Sequence, residues 1–136
     1  MCMKAKVIIE RGNDGLFSYY MNEDKFDFGL NGQGNTIDEA RQEFLSVYAE
    51  LQEMYVEEGK EFPKLEFEYE YDMCSFLNYY SGILSKSGLE KITGVNQKQL
   101  WHYSSGKRKP TKSTVAKIQT GLNNFANELK QVHFAD

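Results

Sequence analysis

The sequence lacks any long apolar run. A helix that crosses a bilayer needs about 20 consecutive apolar residues, and no stretch of this 136-residue chain comes close. The first apolar run, Val7–Ile9, is also shorter than the apolar core of a secretion signal. We therefore expect neither a membrane-spanning nor a secreted protein, and we predict a cytoplasmic location.

Cysteine and histidine are scarce. The chain has 2 of each, Cys2 and Cys74 and then His102 and His133, and none of them stands at the spacing of a metal site or a disulfide scaffold. Glycine-rich phosphate-binding motifs are missing as well. The many carboxylates lie on a predicted helix face and a predicted strand, where solvation explains them. We therefore predict no enzyme, no catalytic residues, no metal and no cofactor.

Each half of the chain has an excess of one sign of charge and comparatively little of the other. Residues 1–80 hold 7 Lys and Arg against 17 Asp and Glu, and residues 81–136 hold 9 against 3. The halves therefore carry −10 and +6, which add to the net −4 of the chain. Such asymmetry indicates two modules with different partners: the basic half would meet a polyanion, and the acidic half a basic protein or only water.

Hydrophobic residues make up 40% of the chain, enough for a packed core. The first half reads as strands over Met3–Glu10 and Leu16–Met21, separated by a turn at Gly12–Gly15. A third strand is predicted over Phe26–Leu30, ended by the glycine-rich stretch 31–35. These strands would form an antiparallel meander.

A helix start follows the predicted meander. Thr36 and Glu39 have the spacing of a capping box, in which each side chain satisfies the backbone N–H of the other. Apolar residues then recur at helical spacing, so one stripe of the helix would pack on the sheet. The stripe comprises Ile37, Ala40, Phe44, Tyr48, Leu51 and Tyr55.

Apolar and acidic residues alternate without interruption over Leu65–Asp72, which predicts a strand. Its acidic row includes Glu66, Glu68 and Glu70. Two interpretations remain open for this row. It is either a solvated face that discourages pairing with other chains, or a docking surface for a basic partner.

The second half reads as helical. A helix is predicted over Met73–Leu84, and Gly94 would form a tight turn between two further short helices. Asn96 can cap the second of these. The exposed side of that helix would carry residue types that bind base edges in a DNA groove, and the following basic loop would neutralise phosphates. The predicted DNA contacts are Lys86, Asn96, Gln97, Lys98, Trp101, His102, Lys107, Arg108 and Lys109.

The segment Lys86–Leu122 resembles the helix-turn-helix of the Cro and lambda-repressor superfamily. The match consists of the Leu89–Val95 core, apolar Leu100, aromatic Tyr103 and Gly106 before the Lys-Arg-Lys-Pro loop. Three positions depart from the family pattern: Glu90, Trp101 and Ser104.

The first half in turn resembles the HicB antitoxin domain: three strands, then Gly34-x-Thr36-x-x-Glu39-Ala40 opening a helix, then a strand. The resemblance implies an α+β chain, with a βββαβ, partial ribonuclease H-like domain over 1–72 and an all-α helix-turn-helix domain over 73–136. It further implies a type II antitoxin that neutralises a small, basic, mRNA-cleaving HicA-like toxin and represses its own operon. Catalysis is not implied.

Two other functions stay open. The chain could be a stand-alone DNA-binding regulator whose first domain dimerises or senses a ligand. It could also be a protein-interaction module that has lost DNA binding. Under the antitoxin interpretation, the residues predicted to contact the toxin are Glu66, Glu68 and Glu70.

The last helix carries apolar residues at the 3–4 spacing of a coiled-coil seam. They are Val115, Ile118, Leu122, Phe125, Leu129 and Val132. We expect the first three to pack inward and the outer part to need a second copy. The prediction is a homodimer held partly through residues 122–134, with contacts at Leu122, Phe125, Leu129 and Val132. Gly121 would allow a neighbouring backbone to approach closely.

Overall fold

The computed structural model describes residues 2–136 and shows a mixed α+β chain that forms two compact units. The first unit ends at Tyr79, and the second comprises Tyr80–Asp136. The strands are β1 (Cys2–Arg11), β2 (Phe17–Met21), β3 (Asn31–Gly34) and β4 (Lys64–Tyr71). The helices are α1 (Ile37–Glu57), α2 (Met73–Tyr79), α3 (Lys86–Thr93), α4 (Gln97–Ser104) and α5 (Lys112–Lys130).

The four strands form one sheet in the order β3-β2-β1-β4. Strand β2 runs antiparallel to β1 and β3, so an antiparallel meander of three strands is present as predicted, although its third strand lies elsewhere in the sequence. Strand β4 returns through α1 and pairs with β1 in parallel. The predicted α+β class and the order βββαβ therefore match the structure.

The position of the third strand was predicted wrongly. It lies at Asn31–Gly34, in the stretch expected to end it. A Cβ on Gly32 would stand 2.6 Å from the Ala40 carbonyl oxygen, and one on Gly34 would stand 2.7 Å from the Ala40 amide nitrogen. Glycine is therefore needed here because α1 packs directly on this strand.

The alternating aromatic residues that led to the wrong strand prediction pack against other aromatic side chains instead. The Phe28 ring lies 5.2 Å from Phe62 and 6.1 Å from Tyr55, measured between ring centroids. Tyr55 also donates a hydrogen bond of 3.1 Å to Asp27. The segment 26–28 thus packs as a loop beside α1 instead of joining the sheet.

The capping box at the start of α1 is confirmed. The Thr36 hydroxyl accepts from the Glu39 amide at 3.1 Å, and the Glu39 carboxylate accepts from the Asn35 and Thr36 amides at 2.9 and 3.4 Å. Behind this start, Phe44 is fully buried between the rings of Tyr19 and Phe67. Local hydrogen bonds therefore fix where α1 begins, and core packing fixes which face it turns to the sheet.

The division between the units falls after Tyr79, not after residue 72 as the sequence predicted. Helix α2 ends at Tyr79 instead of Leu84, and it packs on the sheet with Leu77 buried. The Asp72 carboxylate holds it there, accepting from the Ser75 amide at 2.8 Å and from the Arg11 amide at 2.9 Å. Helix α2 therefore belongs to the first unit.

The second unit has a small apolar core between its three helices. The buried residues are Leu89, Thr93, Val95, Leu100, Tyr103 and Ile118. Gly121 brings α5 against the end of α3, where a Cβ would stand 2.7 Å from the Ile92 carbonyl oxygen. The close backbone approach expected at Gly121 is therefore made within the chain, by α3.

The predicted inward stripe of α5 is only partly correct. Ile118 is buried and Leu122 is half-buried, but the Val115 side chain is 43% exposed. Val115 lies in the first turn of α5, beyond the part of the helix that Gly121 brings close to α3. Helix α5 also ends at Lys130, so Val132 stands outside it.

Candidate nucleic-acid interface

Helices α3 and α4 are joined by a turn that a left-handed glycine and several hydrogen bonds hold in place. Gly94 adopts φ 76°, the left-handed conformation that glycine favours, and its amide donates to the Glu90 carbonyl at 2.7 Å. The Thr93 hydroxyl donates to the Leu89 carbonyl at 2.7 Å and accepts from the Val95 amide at 3.1 Å. The turn 94–96 therefore fixes the direction in which α4 leaves α3.

Two side chains accept hydrogen bonds from the first backbone amides of α4. Asn96 is the N-cap, as predicted, and its Oδ1 accepts from the Lys98 amide at 2.8 Å. Glu90 reaches across from α3, and its Oε1 accepts from the Gln97 amide at 3.0 Å. The sequence showed Glu90 only as a departure from the family pattern, because a cap seven positions before its target leaves no local signal.

One face of α4 is buried and the opposite face is open. Leu100 and Tyr103 enter the core with 0% and 6% exposure. Since residues three or four apart share a helix face, Gln97, Lys98 and Trp101 lie together on the other side, where all three are exposed. His102, at the margin of this face, is half-buried.

Lys86 and Trp101 come together although they lie in different helices. The Lys86 ammonium lies 4.6 Å from the centroid of the indole ring, within the range of a cation–π contact. The Trp101 side chain nevertheless remains 59% exposed. The start of α3 thus adds a cation to the open face of α4.

The basic loop follows α4 directly and is tied back to it. The His102 carbonyl accepts from the amides of Lys107 and Arg108 at 3.0 and 3.3 Å, and Gly106 makes the turn with φ 78°. The side chains of Lys107, Arg108 and Lys109 are exposed. The loop therefore presents three cations from a backbone that hydrogen bonds hold in place.

One lysine near this site was missed by sequence reasoning. The Lys117 ammonium donates to the Gly94 carbonyl at 3.3 Å, which brings a fourth positive segment to the α3–α4 turn. No local pattern signals this contact, because Lys117 and Gly94 lie 23 residues apart and meet only when α5 packs on α3.

The acidic row of β4 belongs to the first unit. Lys4 pairs with Glu68 and Lys6 pairs with Glu70, each at 3.4 Å, while Glu66 is exposed. Two of the three carboxylates predicted to contact a toxin therefore already have a lysine partner within the sheet.

The predicted dimer contacts differ in exposure. Leu122 and Phe125 are half-buried within the second unit, whereas Leu129 and Val132 are 53% and 49% exposed. Only the end of this stripe therefore remains open to a partner.

Two observations concern groups that could take part in chemistry. Over residues 2–136, no three His, Cys, Asp or Glu side chains come together as a metal site would require. Burial, followed by the charge of Asp72, raises the pKa of the Cys74 thiol, which keeps it protonated and weakly nucleophilic near neutral pH.

The comparisons with known proteins do not place the chain in a family. No family model matches it, and no match is found among curated proteins or solved structures. Across residues 2–136, no helix has the length and apolar character needed to cross a membrane.

Proposed function

We propose that the second unit binds double-stranded DNA, with α3 and α4 acting as a helix-turn-helix and α4 entering the major groove. The observation that carries this proposal is the open face of α4, where Gln97, Lys98 and Trp101 lie side by side. Glutamine can bond the edge of adenine, and lysine can bond guanine. The opposite face of α4 is buried in the core, and side chains accept hydrogen bonds from two of its N-terminal amides. These contacts hold the open face in place.

Cations flank this face from two directions. Lys86 lies over Trp101, and the loop Lys107–Lys109 follows the end of α4. Phosphate contacts of this kind fix the register of a protein on the duplex and supply most of the non-specific affinity. The net charge of +6 over residues 81–136 fits the same role.

We further propose that the full chain is a cytoplasmic, non-enzymatic type II antitoxin that needs no cofactor. Its first unit would neutralise a small basic HicA-like toxin, and its second unit would repress the operon. This part is supported by the HicB-like order of motifs and by the charge of −10 over residues 1–80. The alternative is a stand-alone regulator whose first unit dimerises or senses a ligand. A neighbouring reading frame for a short, strongly basic chain favours the antitoxin.

The DNA-binding proposal is tested on the DNA upstream of the gene for this chain. Changing Lys107, Arg108 and Lys109 to Ala should weaken binding to all duplexes and reduce the slope of log K against log salt by roughly three. The matched control removes three lysines of the first unit, Lys25, Lys60 and Lys64. Equal affinity of the first variant and the unchanged chain would overturn the proposal.

The antitoxin proposal is tested by co-expression with the neighbouring small basic protein. The variant without the three loop cations should still prevent growth arrest, because neutralisation is assigned to the first unit. Growth arrest that persists with the unchanged full chain would leave the stand-alone regulator as the better proposal.

A two-fold homodimer would suit a repressor that binds two half-sites. Leu129 and Val132 are the exposed contacts that such a dimer would cover. Phe125→Glu combined with Leu129→Glu should sediment as a monomer. Leu129→Ala alone is the milder control, expected to weaken the dimer without abolishing it, and an unchanged dimer in the double variant would place the interface elsewhere.

A further inference from the structure

The single tryptophan of the chain, Trp101, is exposed at an unusual position. An isolated exposed apolar side chain is ordinary on a protein surface. This indole, however, stands three positions after Lys98 and four after Gln97, on the face of α4 that the proposed function assigns to base edges. It remains 59% exposed beside those two polar side chains.

The indole is held from one side. The Lys86 ammonium lies over the ring at 4.6 Å, so a cation covers part of one ring face. Two hydrogen bonds to the Trp101 carbonyl, from the Ser105 amide at 3.1 Å and the Ser104 hydroxyl at 3.0 Å, also fix the backbone at the end of α4. The rest of the Trp101 indole surface is apolar and remains available to a ligand.

Among the groups that distinguish the bases in the major groove, one is apolar and therefore suits contact with the indole. Guanine, cytosine and adenine present hydrogen-bonding groups there, whereas thymine adds an apolar 5-methyl group. We propose that Trp101 binds thymine methyl groups of the operator, and that Lys86 is a positioning residue that orients the indole. This inference rests on the proposed function and adds the base that α4 recognises at this position.

The test replaces thymine by uracil throughout the upstream DNA, which removes the methyl groups and keeps the Watson–Crick pairing. The unchanged chain should bind uracil DNA roughly fourfold more weakly for each methyl group contacted. Trp101→Ala should bind both DNAs with nearly equal affinity, so that the thymine-to-uracil ratio falls to about one. Trp101→Phe, which keeps an aromatic ring, should retain part of the ratio.

The control is Val56→Ala, which shortens another exposed apolar residue, 75% exposed, in α1 of the first unit. It should keep the full ratio. The role of Lys86 is tested in the same assay: Lys86→Met should lower the ratio, and Lys86→Arg should restore it because arginine also forms cation–π contacts. With one tryptophan in the chain, its fluorescence should change more on thymine DNA than on uracil DNA.

The outcomes separate this inference from the proposed function. Binding of both DNAs with equal affinity by the unchanged chain overturns the thymine contact alone. An undiminished ratio in Trp101→Ala, measured on protein with an unchanged helical circular dichroism signal, overturns it as well. Absence of binding to either DNA overturns the proposed function and the thymine contact together.

Discussion

The two units treat their charged side chains in opposite ways. In the first unit, Lys4, Lys6 and Lys60 form ion pairs with Glu68, Glu70 and Glu58 and so neutralise part of the acidic surface. In the second unit, Lys98 and the loop Lys107–Lys109 have no carboxylate partner within the described chain. Cations without an internal partner can bind an external polyanion. Internal ion pairs, in contrast, reduce the electrostatic energy that a binding partner can gain.

The units also differ in how their cores are built. The first unit joins aromatic residues into a connected cluster, in which Phe44, Tyr48 and Phe67 pack ring against ring. The second unit has a smaller and mainly aliphatic core between its three helices, with Leu100 and Ile118 fully buried and Tyr103 beside them. We therefore expect the second unit to depend more heavily on each buried residue.

The largest expected effects come from truncating the centre of each core. Leu100→Ala should cost about 2–5 kcal/mol of unfolding free energy and abolish DNA binding, because the cavity lies under the open face of α4. Phe44→Ala, the matched change in the first unit, should cost about 3–5 kcal/mol and leave the second unit folded. Amide hydrogen exchange resolved by residue measures both. A loss of protection across both units in either variant would contradict two separate cores.

A smaller effect is expected where α5 meets α3. Gly121→Val should cost about 1–3 kcal/mol, because its side chain would meet the backbone of Ile92 and Thr93. The control is Gly82→Ala, since nothing lies within 4 Å of a Cβ at that position. Urea titration compares the two, and similar midpoints would show that the contact relaxes freely.

The smallest change in stability is expected on the sheet. Glu68→Gln with Glu70→Gln should leave the free energy of unfolding nearly unchanged, because exposed ion pairs contribute little net energy. The same change should slow association with a basic partner, since charge on an interface acts mainly on the association rate. Stopped-flow mixing with the neighbouring basic protein measures this. An unchanged rate in low salt would favour a purely solvated role for these carboxylates.

Features encoded within a few neighbouring residues were predictable. The capping box of Thr36 and Glu39 and the cap at Asn96 depend on contacts three residues apart or fewer, so their spacing reveals them. The open face of α4 followed from helical periodicity in the same way.

Features that depend on distant contacts were not predictable. Strand β3 was missed because Gly32 and Gly34 indicate a break locally, whereas their reason is the approach of α1. The cap supplied by Glu90 and the contact of Lys117 with Gly94 likewise require α3, α4 and α5 to be assembled first.

The Asp72 carboxylate has a consequence for how such chains can be recombined. Because it binds backbone amides of both β1 and α2, residues 72–79 complete the first unit. A gene fusion that joins this sheet to a different DNA-binding module would have to cross over after Tyr79. A crossover at residue 72 would separate the sheet from α2, whose Leu77 is buried. The resulting fusion protein would lack part of its first unit.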